Sequence, residues 1–197
     1  MQQFVGEQAQ RGITLRNEDV PERLSGVKTL LVDAQLVLQG KNIVRQVAAP
    51  LQICDVSRFK NQRAWMVLTL VVSLGCEGYA PLENFTRDLN FARERLLHQY
   101  PQVDILPYDD GRRIETTIHK EQNGFRSYAK CDPAAILAAC TRVLDGKERP
   151  LSEKDVRDAL DAAARMEAEG LETLAFAMGW NPELEGDFES DMVFLGI

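Results

Sequence analysis

Apolar residues recur with two different periods along this chain, and the changes of period predict its elements. Ile13 and Leu15 alternate with polar neighbours, predicting a short strand over 12–17, and a helical turn is expected over 20–24. Leu30, Leu31 and Val32 form a continuous apolar run, predicting a buried strand over 28–33 that ends on Asp33. A further strand is expected over 44–47, with Pro50 opening a link. Residues 64–74 read as a buried helix and 75–81 as a loop. Leu82, Phe85, Leu89, Ala92 and Leu96 keep helical spacing, so 82–99 reads as one amphipathic helix.

The central stretch is the most informative. Strand-like runs on either side of Asn123-Gly124 predict a hairpin, because that dipeptide suits a tight turn with positive φ. A helix over 134–144 is expected next. Asp132 serves as its N-cap, Pro133 fits the first helical position, and Asp145-Gly146 ends it. Ser152 and Asp155 form a variant capping box at the start of a helix over 153–169. A strand over 171–177, a solvated acidic loop from Glu183 to Asp191 and a last strand over 191–197 complete the pattern.

Composition narrows the class. The chain has 197 residues, 45% of them hydrophobic, enough for a substantial core in one to one-and-a-half domains. Its net charge of -7 argues against a nucleic-acid surface. Cys54, Cys76, Cys131 and Cys140 are spread out without metal-type spacing, and the opening residues do not read as a signal peptide. Reduced thiols, no metal site and a cytoplasmic setting are therefore expected. The longest apolar run, 64–76, falls short of the roughly 20 residues that a membrane span needs.

Several segments resemble, in order and spacing, the nucleotide-binding domain of P-type cation-transporting ATPases. That family joins a strand to a helix through Lys-Gly-Ala-Pro-Glu with a Cys further on. Here Lys130, Pro133 and Cys140 match, whereas Cys131, Asp132 and Ala134 replace Gly, Ala and Glu. The family's upstream aromatic-x-Ser-x-x-Lys pattern is similar to Tyr108 through Arg113, with Tyr and Arg at its ends. Its Gly-x-Pro-Thr-Glu helix start resembles Gly78 through Glu83, which keeps the acid. Met166 through Ala177 resembles the family's Met-Ala-x-x-Gly-Leu-Arg segment, with Glu172 in place of the phosphate-side Arg. Gly12-Ile13-Thr14-Leu15-Arg16 and the Asp33 strand resemble the first strands of the family's phosphorylation domain.

The resemblance implies an α+β fold in which an antiparallel sheet is flanked by helices, with a partial haloacid-dehalogenase-like segment at the N-terminus. It implies three parts: 1–50 from the phosphorylation domain, 51–190 as the nucleotide-binding unit, and 191–197 as a return strand. The family's transmembrane helices and dephosphorylation domain are expected outside this chain. Tyr108, Arg113, Lys130 and Glu83 become the candidate ATP-binding residues, with Tyr108 against adenine. Asp33 takes the family's phosphorylation position.

The residues themselves also have plainer readings. Tyr108 reads as a half-buried strand aromatic, Arg113 as a solvated strand residue, and Lys130 as a solvated charge beside a helix start. Glu83 suits any helix N-terminus. Asp33 is followed by Ala34, Gln35, Leu36 and Val37, which lack the donors that hold a transferring phosphoryl group. Mg²⁺ is expected only with a complete phosphorylation domain. Asp110 and Glu172 oppose Arg113 and Lys130, so weak nucleotide binding is expected. Two functions remain: the ATP-binding part of a cation pump, partnered by the remainder of that pump, or a degenerate copy kept as an interaction or regulatory module.

Overall fold

A computed structural model describes residues 43–56 and 63–197. The expected strands over 12–17 and 28–33, and Asp33 with them, lie outside the described residues.

Seven strands make the main sheet. They are β3 (Gln102–Leu106), β4 (Glu115–Glu121), β5 (Gly124–Cys131), β6 (Cys140–Asp145), β7 (Lys147–Pro150), β8 (Ala175–Asn181) and β9 (Met192–Gly196), in the order β3-β4-β5-β8-β9-β6-β7. Every pairing is antiparallel except that of β6 with β9. A separate ribbon joins β1 (Gln46–Ala48) to β2 (Ile53–Asp55). Among the described residues five helices accompany them: α1 (Arg63–Gly75), α2 (Ala80–Asp88), α3 (Arg93–Gln99), α4 (Pro133–Ala139) and α5 (Glu153–Ala168). This is the expected α+β sheet with helices on both faces.

Two apolar clusters sandwich the sheet. Alternate residues of a strand point to opposite faces. Ala175 and Ala177 of β8 accordingly pack with Ile136 and Leu137 of α4 and with Ala159, Ala162 and Met166 of α5. Phe176 and Met178 pack on the other side with Leu68, Val71 and Val72 of α1. β9 is buried along its whole length because it lies inside the sheet with helices over both faces. Its end is tied to the small ribbon. Ala48 N–H donates to Ile197 O at 2.8 Å, and Ile197 N–H donates to Ala48 O at 2.9 Å.

Four expectations are corrected. The helix over 134–144 is only α4, two turns long, and Cys140–Asp145 is strand β6. Cys140 and Val143 are three apart and fit the helical period, but pairing with β9 and β7 decided the outcome, and an irregularity of register between Cys140 and Arg142 leaves both in the same apolar cluster. Gly146, at φ 67°, lets β7 fold straight back. The single helix over 82–99 is broken into α2 and α3. Asn90 takes φ 67° there, and the chain turns so that Phe91 meets Trp65 edge-on, with ring centroids 6.2 Å apart. Asn tolerates that left-handed conformation better than most residues. Strand β8 begins at Ala175 rather than 171, because its partner β5 ends at Cys131, opposite Ala175. The hairpin turn is Gln122-Asn123, with Glu121 facing Gly124. Strand β3 was not anticipated. It forms an edge whose Val103 and Ile105 are both exposed.

The capping box appears as expected. Ser152 Oγ accepts from Asp155 N–H at 3.2 Å, and Asp155 Oδ2 accepts from Ser152 N–H at 2.9 Å. Arg149 grips the same carboxylate at 2.7 and 2.9 Å. Its guanidinium, aided by Ser152, holds the Asp155 carboxyl well below the usual carboxylate range. In the unfolded chain Asp155 returns to about 3.9. Between those values the unfolded chain binds more protons. The stabilisation is therefore complete above about pH 4 and is lost as pH falls toward the folded value. Asp155→Asn should cost about 1–2 kcal/mol at neutral pH and flatten the acid limb of a stability-against-pH curve. An acid limb of unchanged slope would rule out this role.

Candidate functional site

One end of the sheet collects the chemistry. Strand β4 starts there at Glu115, directly opposite Lys130 near the end of β5, and Lys130 is in turn opposite Phe176 at the start of β8. The loop over 107–114 runs into β4 at this end. The segment carrying Glu172 runs into β8 there as well.

Lys130 is not the solvated charge that its sequence position suggested. Its side chain is only 6% exposed. The ammonium donates to Gly75 O at 2.7 Å and forms an ion pair with Glu115 Oε1. It also lies 5.6 Å from the centroid of the Tyr79 ring. Gly75 is the last residue of α1, a helix with no basic residue in its final turn. Lys130 therefore supplies, from the sheet, the donor and the positive charge that a helix C-terminus favours.

Glu115 and Tyr79 were missed by the sequence reading. A turn centred on Asn123-Gly124 would have set Lys130 opposite Thr117; the observed turn sets it opposite Glu115. A hairpin register drawn one residue earlier is the signal that could have found the pair. Tyr79 precedes α2 and is half-buried. Burial first, then the charges of Glu172 and Glu115, push its hydroxyl above the ordinary tyrosine value.

The other nominated residues divide. Glu83 sits in the first turn of α2 and accepts from Gly78 N–H at 2.9 Å, helping to set the turn before the helix. It also lines a small cavity of about 190 Å³ with Arg87 and Arg93. Tyr108 and Arg113 lie in the loop before β4, not in a strand. Tyr108 is 52% exposed. Arg113 is exposed and takes φ 56°. Asp33 lies outside the described residues.

That loop has a definite shape. Asp109 Oδ1 accepts from Gly111 N–H at 2.9 Å and Arg112 N–H at 3.1 Å. Arg112 reaches Pro107 O at 2.6 Å and Glu189 Oε1 at 2.7 Å. Glu189 also accepts from Thr116 Oγ at 2.8 Å. The acidic loop is therefore not wholly solvated: Glu189 holds the Tyr108 loop against the sheet.

Next to the cluster, Cys76 is fully buried, and burial pushes its thiol up to about 12, which keeps it protonated and unreactive. His119 is also enclosed. Its Nδ1–H donates to Tyr100 O at 3.0 Å, and Nε2 lies 3.0 Å from Thr117 Oγ1, an arrangement that holds the neutral ring. Neither group offers a nucleophile or base to a ligand. Among the described residues no group of three or more His, Cys, Asp and Glu side chains could hold a metal ion. A groove of about 800 Å³ between the β1–β2 turn and α5 contains none of the nominated residues.

The candidate site is a lysine on the middle one of three neighbouring strands, with the Tyr79 ring centroid 5.6 Å from its ammonium and Tyr108 on the loop that runs into β4. The family model for the P-type ATPase cytoplasmic domain N matches residues 80–197, the stretch that holds all seven strands of the main sheet and every nominated residue from Glu83 onward. This chain belongs to that family. The N domain shown here is similar to Calcium-transporting ATPase 1 of Bacillus cereus, with 29% identity over 112 residues, covering 55% of this chain and 13% of that protein. It is also similar to a calcium-transporting ATPase of Listeria monocytogenes, with 26% identity over 116 residues, covering 56% of this chain and 13% of that protein. The chain thus spans a small part of the curated relatives it matches. Among the described residues of the N domain no helix is long and apolar enough to cross a membrane.

Proposed function

We propose that this N domain is the nucleotide-binding module of a cation-transporting ATPase, that it holds ATP weakly, and that it does not transfer phosphate by itself. The observation that carries this reading is the strand-end cluster, where Lys130 lies 5.6 Å from the Tyr79 ring at the end of the sheet into which the loop carrying the exposed Tyr108 runs. Tyr108 supplies a face for adenine, with Arg113 and Glu83 at the margins. Base stacking on an aromatic ring contributes about 1–3 kcal/mol and does not depend on the phosphates. The phosphate contacts are weaker because Lys130 already has Glu115 as its partner. Residues 1–50 fit a partial phosphorylation domain, 51–190 the nucleotide unit and 191–197 a return strand. The sequence after Asp33, Ala34 to Val37, lacks the side-chain donors for phosphoryl transfer, so Mg²⁺ and turnover depend on the remainder of a pump on the cytoplasmic face of a membrane. Both relatives are named for calcium, which makes cation transport the process such a pump would serve.

Calorimetric titration with ATP and with AMP, each with and without Mg²⁺, tests the reading. Saturable heat of similar affinity is expected for both nucleotides, and Tyr108→Ala should weaken it about tenfold. A second reading is favoured by the same Lys130–Glu115 pair: a degenerate copy that keeps the fold as an interaction or regulatory module. Absence of heat with both nucleotides would replace the first reading with the second.

A further inference from the structure

The main sheet ends on one side in β7 and on the other in β3. The two edges are built differently. β7 reads Lys147-Glu148-Arg149-Pro150, three charges and a proline, which discourages another strand from adding to it. β3 reads Gln102-Val103-Asp104-Ile105-Leu106, with no lysine and no proline, and its Val103 and Ile105 are each 44% exposed. Among the described residues no strand lies beyond it.

The pairing with β4 shows which backbone groups are open. Lys120 N–H donates to Pro101 O at 2.9 Å. Bonded and non-bonded positions alternate along an antiparallel pair. Counting along β4 from Lys120, Thr117 is therefore a non-bonded position toward β3, and its partner there is Ile105. The N–H and C=O of Ile105 accordingly point away from the sheet. Asp104 Oδ1 accepts that N–H at 2.8 Å, so the carboxylate covers the open donor. Among the described residues the ion pairs do not include Asp104.

We propose that β3 is a docking edge for an extended segment of a partner protein that carries a lysine or arginine between apolar residues. The partner's backbone pairs with Ile105, its cation draws the Asp104 carboxylate off the Ile105 N–H, and its apolar side chains lie beside Val103 and Ile105. A second copy of this chain does not fit. Antiparallel self-pairing that sets Val103 against Ile105 also sets Asp104 against Asp104, and like charges directly opposite disfavour pairing. The carboxylate thus selects the charge of the partner and keeps copies of the chain apart. The docking edge does not depend on the nucleotide reading.

Two capped, labelled peptides test this: Thr-Thr-Val-Lys-Val-Thr-Thr and the same peptide with Glu in place of Lys. Each is titrated into the chain at low ionic strength by fluorescence anisotropy, and amide NMR signals locate the contact. The lysine peptide should bind saturably, about fivefold tighter than the glutamate peptide, and shift the signals of Val103 to Leu106. Asp104→Lys should reverse the order of the two peptides. Ile105→Pro should abolish binding of both and leave the circular dichroism unchanged, because that N–H takes no part in the β3–β4 ladder. Equal affinity for the two peptides, no binding of either, shifts confined to other strands, or binding retained by Ile105→Pro would each overturn the inference. If a variant fails to fold, the wild-type preference between the peptides and the position of the shifts decide. A wild-type chain that sediments as a dimer, and becomes a monomer in Ile105→Pro, would assign the edge to a second copy and overturn it as well.

Discussion

Glu115→Ala should destabilise the fold by about 3 kcal/mol, the lower end of what breaking a buried ion pair costs. The cost comes from the partner left behind. Lys130 is 6% exposed and would keep only Gly75 O and the Tyr79 ring as neighbours. Glu115 is 30% exposed, so water reaches its side of the pair and moderates the loss. Lys130→Met/Glu115→Met should lie within about 1 kcal/mol of the wild-type chain, because both desolvation penalties disappear with the charges. Denaturant unfolding of the single and double variants, read as midpoint shifts at constant slope, measures the coupling. A single-variant loss below about 1 kcal/mol would place the pair among surface ion pairs.

Gly196→Ala should cost about 3–5 kcal/mol, combining backbone strain with overpacking. Gly196 takes φ 147°, and a Cβ there would stand 2.2 Å from Ala48 O and 3.3 Å from Ala49 Cα. Both obstacles are backbone atoms and cannot rotate away. The same clash would pull apart the two hydrogen bonds between Ala48 and Ile197. Gly170 provides the control. It takes φ 79° with nothing within 4 Å of a Cβ, so Gly170→Ala should cost only about 1 kcal/mol. Thermal unfolding of the two variants side by side separates crowding from conformational preference. Equal losses would show that close approach of the β1 backbone to β9 is unimportant.

The two results concern one end of the sheet, since Glu115 is opposite Lys130, Lys130 opposite Phe176, and Phe176 opposite Gly196.

The candidate site was legible in part for a definite reason. Lys130, Pro133 and Tyr108 stand in short motifs whose order is visible along the chain. The environment of Lys130 was not visible, because it depends on Gly75, Tyr79 and Glu115, which come from three other segments. A turn placed one residue late was enough to hide Glu115. In a hairpin, moving the turn by one residue changes every cross-strand partner.

Where the physics was local, reading along the chain sufficed. Asp132 caps α4 by accepting from Ala134 N–H at 2.9 Å, and Ser152 with Asp155 starts α5, because capping is decided within four residues. The apolar length of α1 and the burial of β9 also follow from runs of apolar residues with few ways to hide. Tertiary packing settled the rest. Residues 140–145 could satisfy a helix or a strand, and only β9 and β7 on either side made them a strand. Residues 82–99 could continue as one helix, and only Phe91 meeting Trp65 broke it. Lys130 could face water or the interior, and only the carboxylate across the hairpin and the carbonyl at the end of α1 made burial of its charge sustainable. In each case the competing local states differ by less than the free energy of the long-range contacts, so those contacts decide.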